Sequence, residues 1–415
     1  MQKKTILTSK CNYARSLMQQ NYLDLLFQKR GGEPRHSLAK MQALCRALNH
    51  PEKDLRFIHI AGTNGKGSVA AMCASILKEA GLSVGLYTSP HLLSYHERFQ
   101  INGQKISDEE LREELALIEN LIPDAHFFEI TTMIALSWFK KKQVDIVIFE
   151  TGIGGRLDST NVITPLLSVI TSIGFDHMSY LGNSLKEITR EKAGIIKSKI
   201  PSITLLQEKE VMDVLFERAK EVDSPLKVIT ASDLDRYKSP LLGDHQRWNT
   251  ALSVAAVQEI LPSISSSTIE NGLKKSVWPG RCQLIEQGNA LPKILIDGAH
   301  NVQGAIALVD FIEKYFGSNQ VTLIYGALIG KSVKETGLIL KGIAKEVILT
   351  KIATEKSETL ENLSKMILAK YACNSFQEAL KKANSIGAPI VVAGSLYLVA
   401  DALAYLYTNK VKWIL

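Results

Sequence analysis

Residues 57–68 read FIHIAGTNGKGS. A short apolar, β-branched run leads into a glycine-rich turn carrying Thr63, Asn64, Gly65, Lys66, Gly67 and Ser68. Val69, Met72, Cys73, Ile76, Leu77 and Ala80 then recur at helical spacing. Gly81 stands where a C-terminal cap belongs, and SVGLY at 83–87 reads as the next strand. A glycine turn between a strand and a helix suits a triphosphate. Its backbone N–H groups point into one concavity, the helix adds the positive end of its dipole, and Lys66 adds a mobile charge. The plain G-x-x-x-x-G-K-[ST] spacing is not met: Ile60 stands where the first glycine belongs, and Gly67 separates Lys66 from the hydroxyl of Ser68. Without its flanks the segment would be an ordinary tight turn.

Working outward, VDIVIFET (144–151) is a continuous apolar run closed by an acid, as in a buried parallel strand that ends at a site. PLLSVITSI (165–173) is a second such strand, and the glycine-rich loop GIGGRLDSTNV lies between them. Helical periodicity occupies 108–122, 128–142, 184–197 and 208–220, so the first two-thirds alternates helix and strand. A second alternating series follows Trp278-Pro279-Gly280. It runs through KILID (293–297), a helix at 302–316, VTLIYG (321–326), a helix at 332–344, EVILTK, helices at 357–370 and 376–386, and PIVVAGS. The expected fold is α/β with two doubly wound domains, 1–280 and a smaller 281–415. Ligands of open α/β sheets sit beyond the carboxyl ends of the strands, so two such edges face to face would enclose one cleft.

At 415 residues the chain exceeds one ordinary core. Its 46% hydrophobic and 22% charged content are those of a soluble globular protein. A net charge of +7 is spread over scattered lysines, which suits anionic substrates and argues against nucleic acid. The five cysteines (11, 45, 73, 282, 373) form no C-x-x-C pair, which speaks against a disulfide frame or a thiolate metal site and for a reducing cytoplasm. The N-terminal MQKKTILTSK lacks a signal-peptide core, and no stretch approaches the length of a membrane span.

Taken together, HIAGTNGKGSV (59–69), YTSPHL, ER and ING within 87–103, FFEITT (127–132), FETGIGGRLDSTNV (149–162), FDHMSYLG (175–182), EKAGIIK (191–197), WPGR (278–281), DGAHN (297–301) and GSLYL (394–398) closely resemble the folylpolyglutamate synthase/dihydrofolate synthase family. This is a branch of the Mur-ligase-like enzymes, and the resemblance runs in order over 46–400. It implies an N-terminal P-loop ATPase domain and a C-terminal Rossmann-like domain. The implied activity joins L-glutamate to dihydropteroate or to the glutamate tail of a folate. ATP and Mg²⁺ serve an acyl-phosphate intermediate, because a carboxylate must first gain a leaving group before an amine can displace it.

The resemblance also implies roles. Ser89, Glu150 and His177 match Mg²⁺ ligands, each expected just past a strand, although imidazole is an unusual partner for magnesium. Lys192, read as opening a helix, matches a lysine that carries a carbamate in several of these enzymes and that would serve a second metal. The alternative for it is a surface lysine at a helix start. Arg281 matches an arginine on the γ-phosphate, Asp297 and His300 match ATP contacts from the second domain, and Asn249 matches a residue near adenine; a helix-capping Asp and a solvent-facing Arg are the plainer alternatives. Phe128 matches a pterin-site aromatic, but Phe127 and Phe128 also begin an amphipathic helix and suit a core. Arg98 and Arg156 are read as facing substrate carboxylates. A hinge near 278–290 would close the cleft around ATP.

One departure is plain: where the family often has an acidic Asp-Lys-Asp stretch, this chain has GALIGKS (326–332), with Lys331 as its cation. Two other readings compete. A ligase of sugar nucleotides typically has a further N-terminal domain, whereas about fifty residues precede the phosphate loop here. A silent nucleotide-binding regulator would have little use for Lys66, Glu150, His177 and Arg281 together. The expected protein is a cytoplasmic monomer that acts on small molecules.

Overall fold

The structure, a computed structural model, describes residues 23, 26, 27, 29, 38–121, 125–288, 291–330, 332–408 and 412–413. Eight strands form the first sheet: β1 (Phe57–Ala61), β2 (Val84–Tyr87), β3 (Phe99–Ile101), β4 (Gln104–Lys105), β5 (Ile146–Glu150), β6 (Leu167–Ile170), β7 (Ser202–Leu205) and β8 (Leu226–Ile229). Their order is β4-β3-β2-β5-β1-β6-β7-β8, parallel from β2 to β8, with β3 and β4 as an antiparallel extension. Every residue of β1 and β5 is buried. This is why both read as mostly apolar runs, His59 and the terminal Glu150 apart: helices cover both faces, and each fully buried Ile or Val contributes about 1.5–3 kcal/mol. Helices Lys66–Glu79 and Asp244–Ile260 cover one face, and Phe127–Lys141 covers the other.

Seven strands form the second sheet: β9 (Gln283–Glu286), β10 (Ile294–Ile296), β11 (Val321–Tyr325), β12 (Ala344–Thr350), β13 (Tyr371–Cys373), β14 (Ile390–Ala393) and β15 (Lys412–Trp413). Their order is β13-β12-β11-β14-β10-β9-β15, with β9 antiparallel to both of its neighbours. The two α/β domains thus match the expected class.

Two helices are shorter than their periodicity suggests. The one expected over 184–197 ends at Ala193. A Cβ on Gly194 would come within 2.4 Å of the Arg156 Cβ. Loop 154–158 packs against this helix end, and Arg156 N–H donates to Glu191 O at 2.6 Å. The helix expected over 357–370 is confined to Leu360–Met366. Residues 357–358 are instead drawn into a loop pairing, with Glu358 N–H donating to Ala327 O at 2.9 Å, and Thr359 caps the helix that follows. Cys45, Cys73 and Cys282 are buried free thiols and Cys373 is a partly buried one. Cys11, the N-terminal MQKKTILTSK, Lys331 and residues 289–290 lie outside the described residues. Among the described residues no helix is long and apolar enough to cross a membrane.

Candidate active site

Because β2, β5, β1 and β6 are adjacent and parallel, Ser89, Glu150, the glycine loop and the segment 171–177 all leave the same edge of the sheet. Thr63 and Asn64 N–H both donate to Ser172 O, at 2.7 and 3.2 Å, which ties the loop to the end of β6. Those two amides are therefore occupied, contrary to the picture of a whole turn of free donors. The open donors lie one step later. The helix starts at Lys66, and the first amide bonded in its direction is Val69 N–H to Gly65 O at 2.9 Å, leaving Lys66, Gly67 and Ser68 N–H without intrahelical acceptors. Gly67, the residue that breaks the standard spacing, faces Trp278: a Cβ there would stand 2.7 Å from the indole. The ring packs onto the first helical turn, so a side chain at 67 would displace it.

Lys66 is half-buried, and its Nζ donates to Gly62 O at 3.1 Å and Thr63 O at 3.3 Å. The Lys192 Nζ donates to the same Gly62 O at 2.8 Å. Lys192 is a buried residue in the last turn of helix Leu185–Ala193, neither at a helix opening nor on the surface as its alternative reading would have it. Enclosure by protein pulls the Lys66 ammonium below its ordinary value, with Glu150 opposing. Burial pushes the Glu150 carboxyl up, with Lys66 opposing. Glu150 Oε2 accepts Ser89 N–H at 3.0 Å. His177 caps a short helix with φ of 52°, and its N–H donates to Asp176 Oδ1 at 2.8 Å. It follows β6 by several residues, so it sits deeper in its loop than expected. Among the described residues no three His, Cys, Asp or Glu side chains are grouped to hold a cation. The donor set of one buried carboxylate, one hydroxyl and one imidazole therefore suits a magnesium ion that takes its remaining ligands from phosphate and water.

Beside Glu150 lies an aromatic recess. Arg98 is 5% exposed, its Nε donates to His91 Nδ1 at 2.8 Å, and its guanidinium stands 5.4 Å from the Phe127 ring centroid and 5.7 Å from that of Tyr95. Its buried Nη1 has no partner among the described residues. Cation–π contacts of about 1–2 kcal/mol do not match the several kcal/mol that burying a cation costs, and Glu150 is the anion that faces it here, so the open Nη1 leaves the recess able to accept an anionic group. Phe128 is half-buried on the cavity wall, edge-on to Tyr87 at 6.5 Å, while Phe127 is buried in the core and reaches the same wall. Arg156 does not join them. It is exposed, paired with Glu191 at 2.7 Å, and absent from the cavity lining, because the loop that carries it turns onto the end of helix Leu185–Ala193.

The second domain closes the other side. Arg281, Asp297 and His300 all line the cavity. Asp297 is engaged within its own domain, with Oδ2 accepting Cys282 N–H at 2.7 Å, just before β9, and Oδ1 accepting Ala299 N–H at 2.8 Å. His300 pairs with Gly298 O at 2.7 Å and with Asp176 Oδ2 at 3.1 Å. Asn301 and Asn64 exchange amide hydrogen bonds of 3.0 and 3.2 Å across the domains. Asn249 is buried against the glycine loop, its Nδ2 donating to Gln246 Oε1 at 2.9 Å. The shared cavity is ≈ 1420 Å³, above the roughly 300–1,000 Å³ of a single-ligand pocket. It has room for a nucleotide and a second substrate together. The sequence reading missed Asp176, Gln303, Trp278 and Lys356. The first three had a signal, since they stand in or beside the FDHM, DGAHN and WPGR strings.

Comparison with known proteins agrees with this geometry. Residues 60–237 match the Mur ligase middle domain, and residues 280–396 match the Mur ligase glutamate ligase domain. A dihydrofolate synthase/folylpolyglutamate synthase of Bacillus subtilis is 35% identical over 410 residues, covering 88% of this chain and 93% of its own. E. coli FolC in complex with DHPP and ADP superposes with a TM-score of 0.86 at 28% identity, covering 94% of this chain and 98% of that one. A bifunctional folylpolyglutamate synthase/dihydrofolate synthase of Yersinia pestis, complexed with AMPPNP and a Mn ion, gives 0.84 at 28% identity, with the same coverages. Sequence, fold and cleft thus converge on one assignment: the chain belongs to the folylpolyglutamate synthase/dihydrofolate synthase family of Mur-type ATP-dependent ligases.

Proposed function

We propose that the chain joins L-glutamate to dihydropteroate and to the γ-carboxylate of reduced folates, with ATP converted to ADP and phosphate. The observation that carries this reading is the juxtaposition in one cavity of the open amides at Lys66–Ser68 with the buried Arg98, whose Nη1 has no partner among the described residues. One binds phosphates and the other binds an acid, and the reaction needs both. Two units, 1–280 and 281–415, hold the substrates, and a hinge at 278–290 lets them close over ATP. We take the working form as a cytoplasmic monomer.

In this reading Gly65, Lys66, Gly67 and Ser68 cradle the phosphates, Thr63 and Asn64 tie that loop to the end of β6, and Asn249 holds the loop from behind near the base. Arg98 orients the acceptor acid, with Phe128 against its ring system. An acid oxygen attacks the γ-phosphorus and ADP departs; Lys66 and Arg281 hold the charge that builds on the transferred group. The amine of glutamate then attacks the acyl carbon, the C–O bond to phosphate breaks, and the amine proton is lost to solvent. Ser89, Glu150 and His177 would hold Mg²⁺, which when bound neutralises phosphate charge. Two lysine amines on the single Gly62 carbonyl repel each other as cations. Addition of carbon dioxide to neutral Lys192 would remove that repulsion and make an anion for a second metal. Glutamate enters against the second domain, where Lys356 lines the cavity and its ammonium has no partner among the described residues.

Purified protein with ATP, glutamate and either acceptor should release ADP in proportion to a product heavier by one glutamyl unit. ADP release that ignores the acceptor, or needs no glutamate, removes the reading. Carbon dioxide released on acidification tests Lys192, and an unmodified lysine at saturating bicarbonate rejects the carbamate.

A further inference from the structure

Asp176 has no role in the chemistry above, yet its carboxylate lies on the cavity wall between the two domains with its side chain 9% exposed. Its two oxygens are divided. Oδ1 accepts His177 N–H at 2.8 Å, at a residue whose φ of 52° is unusual for a non-glycine and so benefits from a local partner. Oδ2 lies 3.1 Å from His300 Nε2 and 3.5 Å from Asn301 Nδ2, both in the other domain. The His300 Nδ1 faces Gly298 O at 2.7 Å, and a carbonyl only accepts. The ring thus has an oxygen within hydrogen-bonding reach of each nitrogen, which fixes its plane. One of those two oxygens belongs to the opposite domain, so the ring is aligned only while the domains are apposed.

A second cross-domain link stands beside the first. Asn301 caps helix Val302–Phe316 by accepting Gly304 N–H at 2.9 Å and also exchanges amide bonds with Asn64 of the phosphate loop. Gln303, two residues on, donates to Ile173 O at 3.0 Å. The end of β6 and the start of that helix are therefore joined by several polar contacts across the domains.

We propose that Asp176 is a positioning residue that reads domain closure, aligning His300 of the second domain while holding the turn that presents His177 of the first. It acts through the two histidines and touches no reacting atom. The kinetic arm of its test rests on the ligase reading above; the spectroscopic arm does not.

Asp176→Asn keeps the size but offers one accepting atom where the carboxylate offers two. We expect it and His300→Gln each to lower kcat about tenfold, with KM for the folate acceptor within about twofold, and the double variant to lose no more than about threefold beyond the worse single. Losses that multiply would overturn the proposal. In ring-labelled protein the His300 Nε2 resonance should shift in Asp176→Asn. A variant whose His300 ring signals match those of the wild type also overturns the proposal, whatever reaction the protein catalyses.

Discussion

The two sheet edges that face each other across the cavity are built alike and furnished differently. At the first, Lys66 and Lys192 crowd one carbonyl oxygen, buried Glu150 accepts one backbone amide, and Arg98 has an orphan nitrogen. At the second, Asp297, His300 and Asn301 are engaged with their own domain, a helix cap or the opposite domain. Groups left short of partners in a buried place are costly and mark where ligands complete the structure; satisfied groups mark where geometry is held. Under the proposed function the first edge would carry most of the charge chemistry, with Arg281 and Lys356 as the second edge's cations, and the rest of the second edge would hold geometry.

The sharpest way to break this contrast is Lys66→Ala. With its cation gone from the developing phosphoryl charge, kcat should fall about 10³-fold while the fold survives; a loss under about tenfold would mean the first edge is not the chemical one. Next is Arg98→Met. One charged hydrogen bond is worth about 1.5–3 kcal/mol, so KM for the acceptor should rise roughly ten- to a hundredfold with KM for ATP unchanged. A change in both constants would place Arg98 elsewhere in the cycle. On the second edge, Lys356→Met should raise KM for glutamate about tenfold and leave both other substrates alone. If glutamate is bound as before, the incoming amino acid does not use that wall.

The smallest effect concerns stability. Burial holds the His59 imidazole at about 3, far below its ordinary 6.5, with Nε2 on Thr160 Oγ1 at 2.8 Å. Between those two values the unfolded chain binds a proton that the folded chain refuses. Stability should therefore drop as pH falls from 6.5 toward 3, by at most about 1.4 kcal/mol per unit from this group. Tm measured against pH should fall less steeply in His59→Gln, and equal slopes would refute the assignment.

Local pattern carried a long way here. Helices Val302–Phe316 and Phe376–Ile386 have the bounds that periodicity suggests, and the strand VDIVIFET ends on Glu150 at the site edge. Periodicity failed where tertiary contact intervenes: Gly194 meets Arg156 and stops a helix early, and the pairing of 357–358 with residue 327 delays another. The same cause moved Arg156 out of the site, since its partner Glu191 is remote in sequence. Asp176 and Lys356 draw their meaning from elements that only folding brings together. The GALIGKS departure now has a neighbour: Ile329 N–H donates to Lys356 O at 3.0 Å, so the loop without acids lies beside the unpaired cation.

The central claim is that an acid is phosphorylated before the amine arrives. Dihydropteroate labelled with ¹⁸O in both carboxylate oxygens should, after turnover with ATP and glutamate, deliver one labelled oxygen to inorganic phosphate and keep the other in the new amide. Phosphate free of label would contradict the account.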